Sequence, residues 1–348
     1  MNARWKQKPP GSNWGEFGPD DQRGRMNLVT REKVLQGIAE VKEGITFCLS
    51  LPLDYPGGNV LNPRRSGPRL AATSREGKQF FCRPLYEYNE NMTDVICDDQ
   101  VLMSLQYSSQ WDSFAHVGSR FDADGDGKPE LVFYNGFRAG EHVVPAPEKK
   151  ADGWERFEGT EARALGIENM AEHGAQGRGV MIDLHHHFGR KREAVGCDAL
   201  MKVLEVDKVK IEKGDMVCLY TGFADVLLEM KKKPDPKLVN ETCTGLDGRD
   251  AKLLQWISDS GLAFLMADNY AVELITGSLT DPLPRKQPWL PLHEHCLFKN
   301  GIHLGEMFYL TELARWLRAH KRNRFLLTAP PLRLPGAVGS PATPIATV

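Results

Sequence analysis

No run of about eighteen apolar residues occurs anywhere in this chain, so no segment reads as a helix able to cross a bilayer. The opening Met-Asn-Ala-Arg-Trp-Lys-Gln-Lys-Pro-Pro has no apolar stretch of the kind a secretory signal needs. A cytoplasmic protein is expected. The 7 cysteines, at 48, 82, 97, 197, 218, 243 and 296, contain no Cys-x-x-Cys pair. That argues against a structural zinc knuckle and against a secreted disulfide framework. Charge of one sign is also missing: 44 basic against 46 acidic residues leave a net −2, which gives no electrostatic reason to expect nucleic acid or an acidic membrane surface. The short run Lys231-Lys232-Lys233, followed by Pro234, reads as a solvated helix end. The phosphate-binding glycine patterns and the Gly-x-Ser-x-Gly elbow are absent, which disfavours nucleotide cofactors and a serine nucleophile.

What the chain does have is length and an alternating pattern. Its 348 residues, 41% of them hydrophobic, suffice for a large buried core. A helix is predicted over 31–43, with Thr30 as its cap, Val34, Leu35, Ile38 and Val41 on one face, and Gly44 as its stop. Alternation over 45–51 predicts a strand, and shorter strands follow near 80–88, 93–97 and 100–107. Beyond residue 158 helical and strand-like segments alternate through 323–328, which argues for an α/β fold with a mixed, partly parallel sheet in a single compact domain spanning 1–348. Residues 1–44 form an N-terminal extension. Two long excursions, 54–78 and 117–157, are too long for simple connections and are candidates for functional loops.

The chemistry concentrates in Gln106-Tyr-Ser-Ser-Gln110-Trp111-Asp112-Ser-Phe114-Ala-His116. A carboxylate and an imidazole four residues apart, where an apolar run ends, can reach one ion or one polarised water. Two other candidates are weaker. Asp122-Ala-Asp124-Gly-Asp126-Gly127 has the start of a calcium loop, but Phe133 stands where a clamping Glu belongs, so an Asp-Gly turn is expected. His185-His186-His187 reads as a polar strand end whose alternating side chains cannot meet on one ion.

The segment 106–116 resembles the motif His-x-Gly-Thr-His-x-Asp-x-Pro-x-His of the cyclase family of metal-dependent hydrolases, the group of kynurenine formamidase and isatin hydrolase. Asp112 and His116 fall on the motif's Asp and last His; Gln106 and Gln110 fall on its first two histidines. Gly214-Asp215 through Thr221-Gly222-Phe223, the strand ending at Asp268, and Pro291-Leu-His293 with Gly301-Ile-His-Leu-Gly-Glu306 continue the likeness, as does Gly336 to Pro341. The resemblance implies a swivelling β/β/α-like fold and a divergent subgroup with Gln at two ligand positions. It also implies one divalent ion, zinc or manganese, held by Asp112, His116, His293 and Glu306, with His116, Asp112 and Glu306 as the catalytic groups. A metal-held water of lowered pKa would do the chemistry.

Hydrolysis of an amide, cyclic amide or lactone in a small aromatic or heterocyclic metabolite is the implied activity. Gln106 and Gln110 would bind substrate through their amides, and Trp111, Phe114 and Tyr134 would supply apolar walls. His116 is expected as ligand, with the role of general base left open. The other reading is a metal-free cyclase or dehydratase, or a non-catalytic small-molecule binder. Implied partners are the substrate and further copies of the chain in a homodimer or homotetramer, with 54–78 reaching a neighbouring site.

Overall fold

Burial on both faces explains the central strands. In Gln176–Asp183, Met216–Tyr220 and Phe264–Ala267 nearly every residue is buried, as near-continuous apolar runs require when helices cover both sides of a parallel sheet. A computed structural model describes residues 4–146, 160–283 and 286–348. Its main sheet has nine strands: β1 (Thr46–Cys48), β2 (Gln110–Asp112), β3 (Gln176–Asp183), β4 (Met216–Tyr220), β5 (Phe264–Ala267), β6 (His303–Glu306), β7 (Arg324–Thr328), β8 (Gly339–Pro341) and β9 (Ile345–Thr347). In space they run β1-β9-β7-β3-β4-β5-β6-β2-β8. The four central strands β3 to β6 are parallel. Antiparallel pairs close both sides: β7, β9 and β1 on one, β2 and β8 on the other.

Helices α1 (Arg31–Ile38) and α9 (Thr311–Ala319) lie on one face of the sheet. On the other lie α4 (Cys197–Val206), α7 (Ala251–Ser260) and α8 (Pro291–His293, continued as a π-helical segment Glu294–Lys299). The shorter helices α2 (Glu168–His173), α3 (Leu184–Phe188), α5 (Phe223–Glu229) and α6 (Pro236–Glu241) come between them in the chain. Strand alternation divides the core accordingly: Val217 and Leu219 face one cluster, Met216, Cys218 and Tyr220 the other. The result is the mixed α/β fold, one compact unit, that the sequence predicts.

Three local expectations are corrected. Thr30 caps α1, its hydroxyl accepting from the Lys33 amide, but the helix ends at Ile38, and Leu35 and Ile38 point to solvent. Lys33 and Gly37 are the buried residues instead. A Cβ on Gly37 would stand 2.7 Å from the Gly177 carbonyl carbon, so the missing side chain is what lets α1 lie against β3. Second, Leu184–Phe188 is a helical turn, capped by Asp183 accepting from the His186 amide, and not a strand end. Third, the segment before residue 44 is built into the core: Trp14 is buried and its indole donates to the Phe298 carbonyl at 2.7 Å. Residues 147–157 of the second excursion lie outside the described residues.

Candidate metal centre

Sheet register assembles the first half of the site. β2 and β6 are antiparallel, with Glu306 opposite Gln110 and Leu304 opposite Asp112. Directly opposed side chains share a face, as do residues two apart on one strand. Gln110, Asp112 and Glu306 therefore converge, and the Gln110 amide donates to Glu306 Oε2 at 3.1 Å. Trp111, between them, points the other way, packs on Phe264 and Phe308, and donates to the Ala329 carbonyl at 2.7 Å.

The second half comes from α8. His293, at its third residue, lays Nε2 3.2 Å from Glu306 Oε1 and 3.9 Å from Asp112 Oδ2. Its other ring nitrogen donates to Glu273 Oε1 at 2.8 Å, while the His293 and Leu292 amides donate to the same carboxylate at 3.0 and 3.1 Å. This buried carboxylate fixes the ring's direction and leaves Nε2 facing the two acids, an arrangement typical of metal-ligating histidines. Room for it depends on Gly248, where a Cβ would come within 2.3 Å of Glu273 Oε2. Ala271 and Val272, just before Glu273, and Met307, just after Glu306, have positive φ of 81°, 57° and 53°. Such conformations are costly for residues with a Cβ, and for β-branched Val272 above all. Strain is thus concentrated where these two carboxylates are aimed.

The site is electrostatically unbalanced. Asp112 is wholly buried and neither of its oxygens has a hydrogen-bond partner. Burial, reinforced by the Glu306 charge, pushes its carboxyl up to about 8. Burial opposes charge on His293, but the Glu273 and Glu306 carboxylates outweigh it and raise the ring to about 10. Burial likewise disfavours charge on Glu306, and the hydrogen bond from His293 overcomes it and lowers that carboxyl. His116 is driven down to about 3 by burial and by the positive charge at His293 and Arg65, although its side chain keeps 22% exposure. Protons on Asp112 and His293 here do what a cation would do: they neutralise carboxylates that burial has stripped of water.

Asp112, His293 and Glu306 each offer an atom, all within 4.8 Å of one another, while His116 stands outside that set with Nε2 3.8 Å from Asp112 Oδ1. The expected shell of four is therefore a cluster of three, the ligand number of many catalytic zinc sites. Gln110 is buried beside it, with its carbonyl oxygen unpartnered. Gln106 is half-buried: its amide nitrogen lies against Gly339, opposite Asp112 on β8, and its backbone carbonyl accepts from Arg65 at 2.7 Å. With Arg65, Tyr107, Tyr270 and Met307 it lines a narrow cleft.

The three proposed aromatic walls lie elsewhere. Trp111, Phe114 and Tyr134 are all fully buried, Phe114 stacked at 4.0 Å on His303, whose Nδ1 donates to the Asp112 carbonyl. Each fills core behind the site, because β2 is covered on both faces. His187 pairs with Asp207 at 2.9 Å and takes no part in the cluster. In the 122–127 loop, Asp122 accepts from the amides of Gly125, Asp126 and Gly127, the turn predicted from the sequence. Glu273 and Arg65 carried no role in the sequence analysis. The signal for Glu273 was a lone carboxylate inside the apolar run Ala271 to Ile275, where burial demands a partner.

Comparison with known proteins bears on the family and the fold. The Cyclase family model matches residues 48–274. A crystal structure described as a novel cyclase is similar over 98% of this chain and 100% of its own, with 28% identity and a TM-score of 0.73. Isatin hydrolase A from Ralstonia solanacearum is similar over 91% of this chain and 97% of its own, at 12% identity and a TM-score of 0.50. No curated protein matches the chain.

Proposed function

Because this chain belongs to the Cyclase family, we propose that it is a metal-dependent hydrolase that opens an amide, cyclic amide or lactone bond in a small aromatic or heterocyclic metabolite. One observation carries the reading: the Asp112 carboxylate, buried and without a hydrogen bond, lies within ligand distance of His293 and Glu306. A buried charge left this way is unstable unless a proton or a cation joins it. Two carboxylates and one imidazole suit zinc or manganese. An ion at this place would supply a Lewis acid that polarises a carbonyl and makes water acidic enough to react near neutral pH.

The chain's own groups account for the rest. Glu273 holds His293 in orientation. His116, neutral and partly exposed with Nε2 3.8 Å from Asp112 Oδ1, is the group that would accept the proton the attacking water gives up. Gln110 offers an unpartnered amide oxygen for a substrate N–H. Arg65, whose guanidinium pairs with no carboxylate among the described residues, holds positive charge over the cleft where a carbonyl or carboxylate oxygen would rest. The name of the isatin hydrolase relative supports a cyclic amide fused to an aromatic ring as the first substrate to try.

The deciding experiment is elemental analysis of protein purified without added metal or chelator, with assays on isatin, an N-formyl arylamine and an aryl lactone. About one zinc or manganese per chain and chelator-sensitive ring opening or deformylation are expected. Metal-free protein whose turnover ignores chelators would instead favour a cyclase or dehydratase working through His116 and Asp112. Metal-free protein with no turnover would favour a binding protein.

A further inference from the structure

From within the first excursion to β2 the chain forms a ribbon in which Arg69–Ala72 pairs with Asp99–Leu102, with shorter ladders beyond. No residue from 58 to 106 is buried. Toward its outer end Arg83 pairs with Ile96 and Pro84 with Val95, so Cys82 and Cys97 are the next opposed residues. Both are exposed. Their sulfurs are 3.8 Å apart, the Cys97 thiol donating to Cys82 Sγ, and the Cys82 amide donates to Cys97 Sγ at 3.0 Å. Cys82 holds a left-handed φ of 54°, unusual for a residue with a Cβ, and so the backbone turns where the two sulfurs meet. The remaining cysteines are spread over the fold, with Cys218, Cys243 and Cys296 buried.

We propose that Cys82 and Cys97 form a reversible oxidation site, closed to a disulfide by a low-molecular-weight disulfide such as oxidised glutathione. In the first step one protein thiolate attacks a sulfur of the oxidant, forming a mixed disulfide and releasing one glutathione thiolate. The second protein thiolate then attacks the protein-side sulfur and releases the other glutathione. Two protein thiols lose two electrons and two protons, and two glutathione thiols carry them away. Exchange needs the thiolate, and the hydrogen bond from Cys97 raises the Cys82 thiol, so closure accelerates as pH rises. The cross-link joins strands paired over only two residues, and so restrains a tip that no core holds in place.

The full-length protein is incubated with oxidised glutathione, alkylated and mapped by mass spectrometry. The expected product is a peptide containing Cys82 joined to one containing Cys97, lighter by two hydrogens and separated again by dithiothreitol. Exposed Cys48 serves as the internal reference, able to form only a glutathione adduct or stay reduced. In Cys97→Ser, Cys82 should stop at the glutathione adduct. Recovery of Cys82 and Cys97 as separate adducts, or unreacted to the same extent as Cys48, would overturn the proposal. Loss of proteolytic cleavage within 83–96 on oxidation is expected; unchanged cleavage despite a formed bond would refute the restraint of the tip.

Discussion

Glu273 lies behind His293 and orients it, taking two hydrogen bonds from His293 and one from the Leu292 amide. Removing its charge while keeping its shape, in Glu273→Gln, should weaken zinc binding roughly 10–100-fold, the usual cost of losing such a partner. Titration with a chromophoric chelator would show it, and unchanged affinity would mean that packing alone orients the ring. His116→Ala separates ligand from base. Since His116 lies outside the three-residue cluster, the variant should keep its metal and lose roughly 10²–10⁴-fold in turnover. Loss of the metal in that variant would return His116 to the ligand shell.

At the scale of elements, the Gly-Asp strand of the family resemblance proves to be scaffold. Asp215, at the start of β4, takes two bonds of 2.9 Å from the Arg178 guanidinium on β3 and one of 3.0 Å from Lys33 on α1. One carboxylate thus ties two strands to a helix. Asp215→Ala would leave Arg178 and Lys33 with the partly exposed Glu212 as their remaining carboxylate, and a loss of about 1.5–3 kcal/mol is expected in urea unfolding. Similarly, Asp268 at the end of β5 accepts from the Thr221 amide and hydroxyl and from the Gly222 amide, fixing the turn into α5 (Phe223–Glu229).

The α7–α8 contact is sensitive to pH. His295 is buried against Ser258, and burial holds its ring down at about 4. An unfolded histidine takes up a proton near 6.5, so between those values the unfolded chain binds more protons. Stability is therefore complete above pH 6.5 and declines as pH falls toward 4, by up to about 3 kcal/mol for this residue. His295→Gln should flatten that decline in unfolding measured across the window. His303, also lowered to about 4 by burial, leaves part of it in place.

For the whole molecule, the ribbon is the part that burial does not explain. Leu70 and Val101 face each other across it at 73% and 54% exposure, and such an apolar pair on a surface without core beneath it suits contact with another copy of the chain. We therefore expect sedimentation equilibrium to give a dimer or tetramer, dissociated by Leu70→Asp with Val101→Asp. A wild-type monomer would refute this. The thiol pair lies farther out on the same ribbon and does not depend on that outcome.

The sequence by itself determined elements whose apolar pattern is strong, among them β4, β5, α9 and β7, because burial writes a near-continuous apolar run into the central strands, a one-sided stripe into α9 and an alternation into β7. Through the family resemblance it also pointed to Asp112, His293 and Glu306, which the fold brings within 4.8 Å of one another. Tertiary structure decided what these residues meet. The β2–β6 register turned Gln110 toward Glu306 and Trp111 into the core, a difference of one residue that no local pattern encodes when both faces are buried. Glu273 reaches His293 from twenty positions away, after a strained turn at Ala271 and Val272. Only the folded chain, where water is gone and each charge must find its partner, joins that carboxylate to the site.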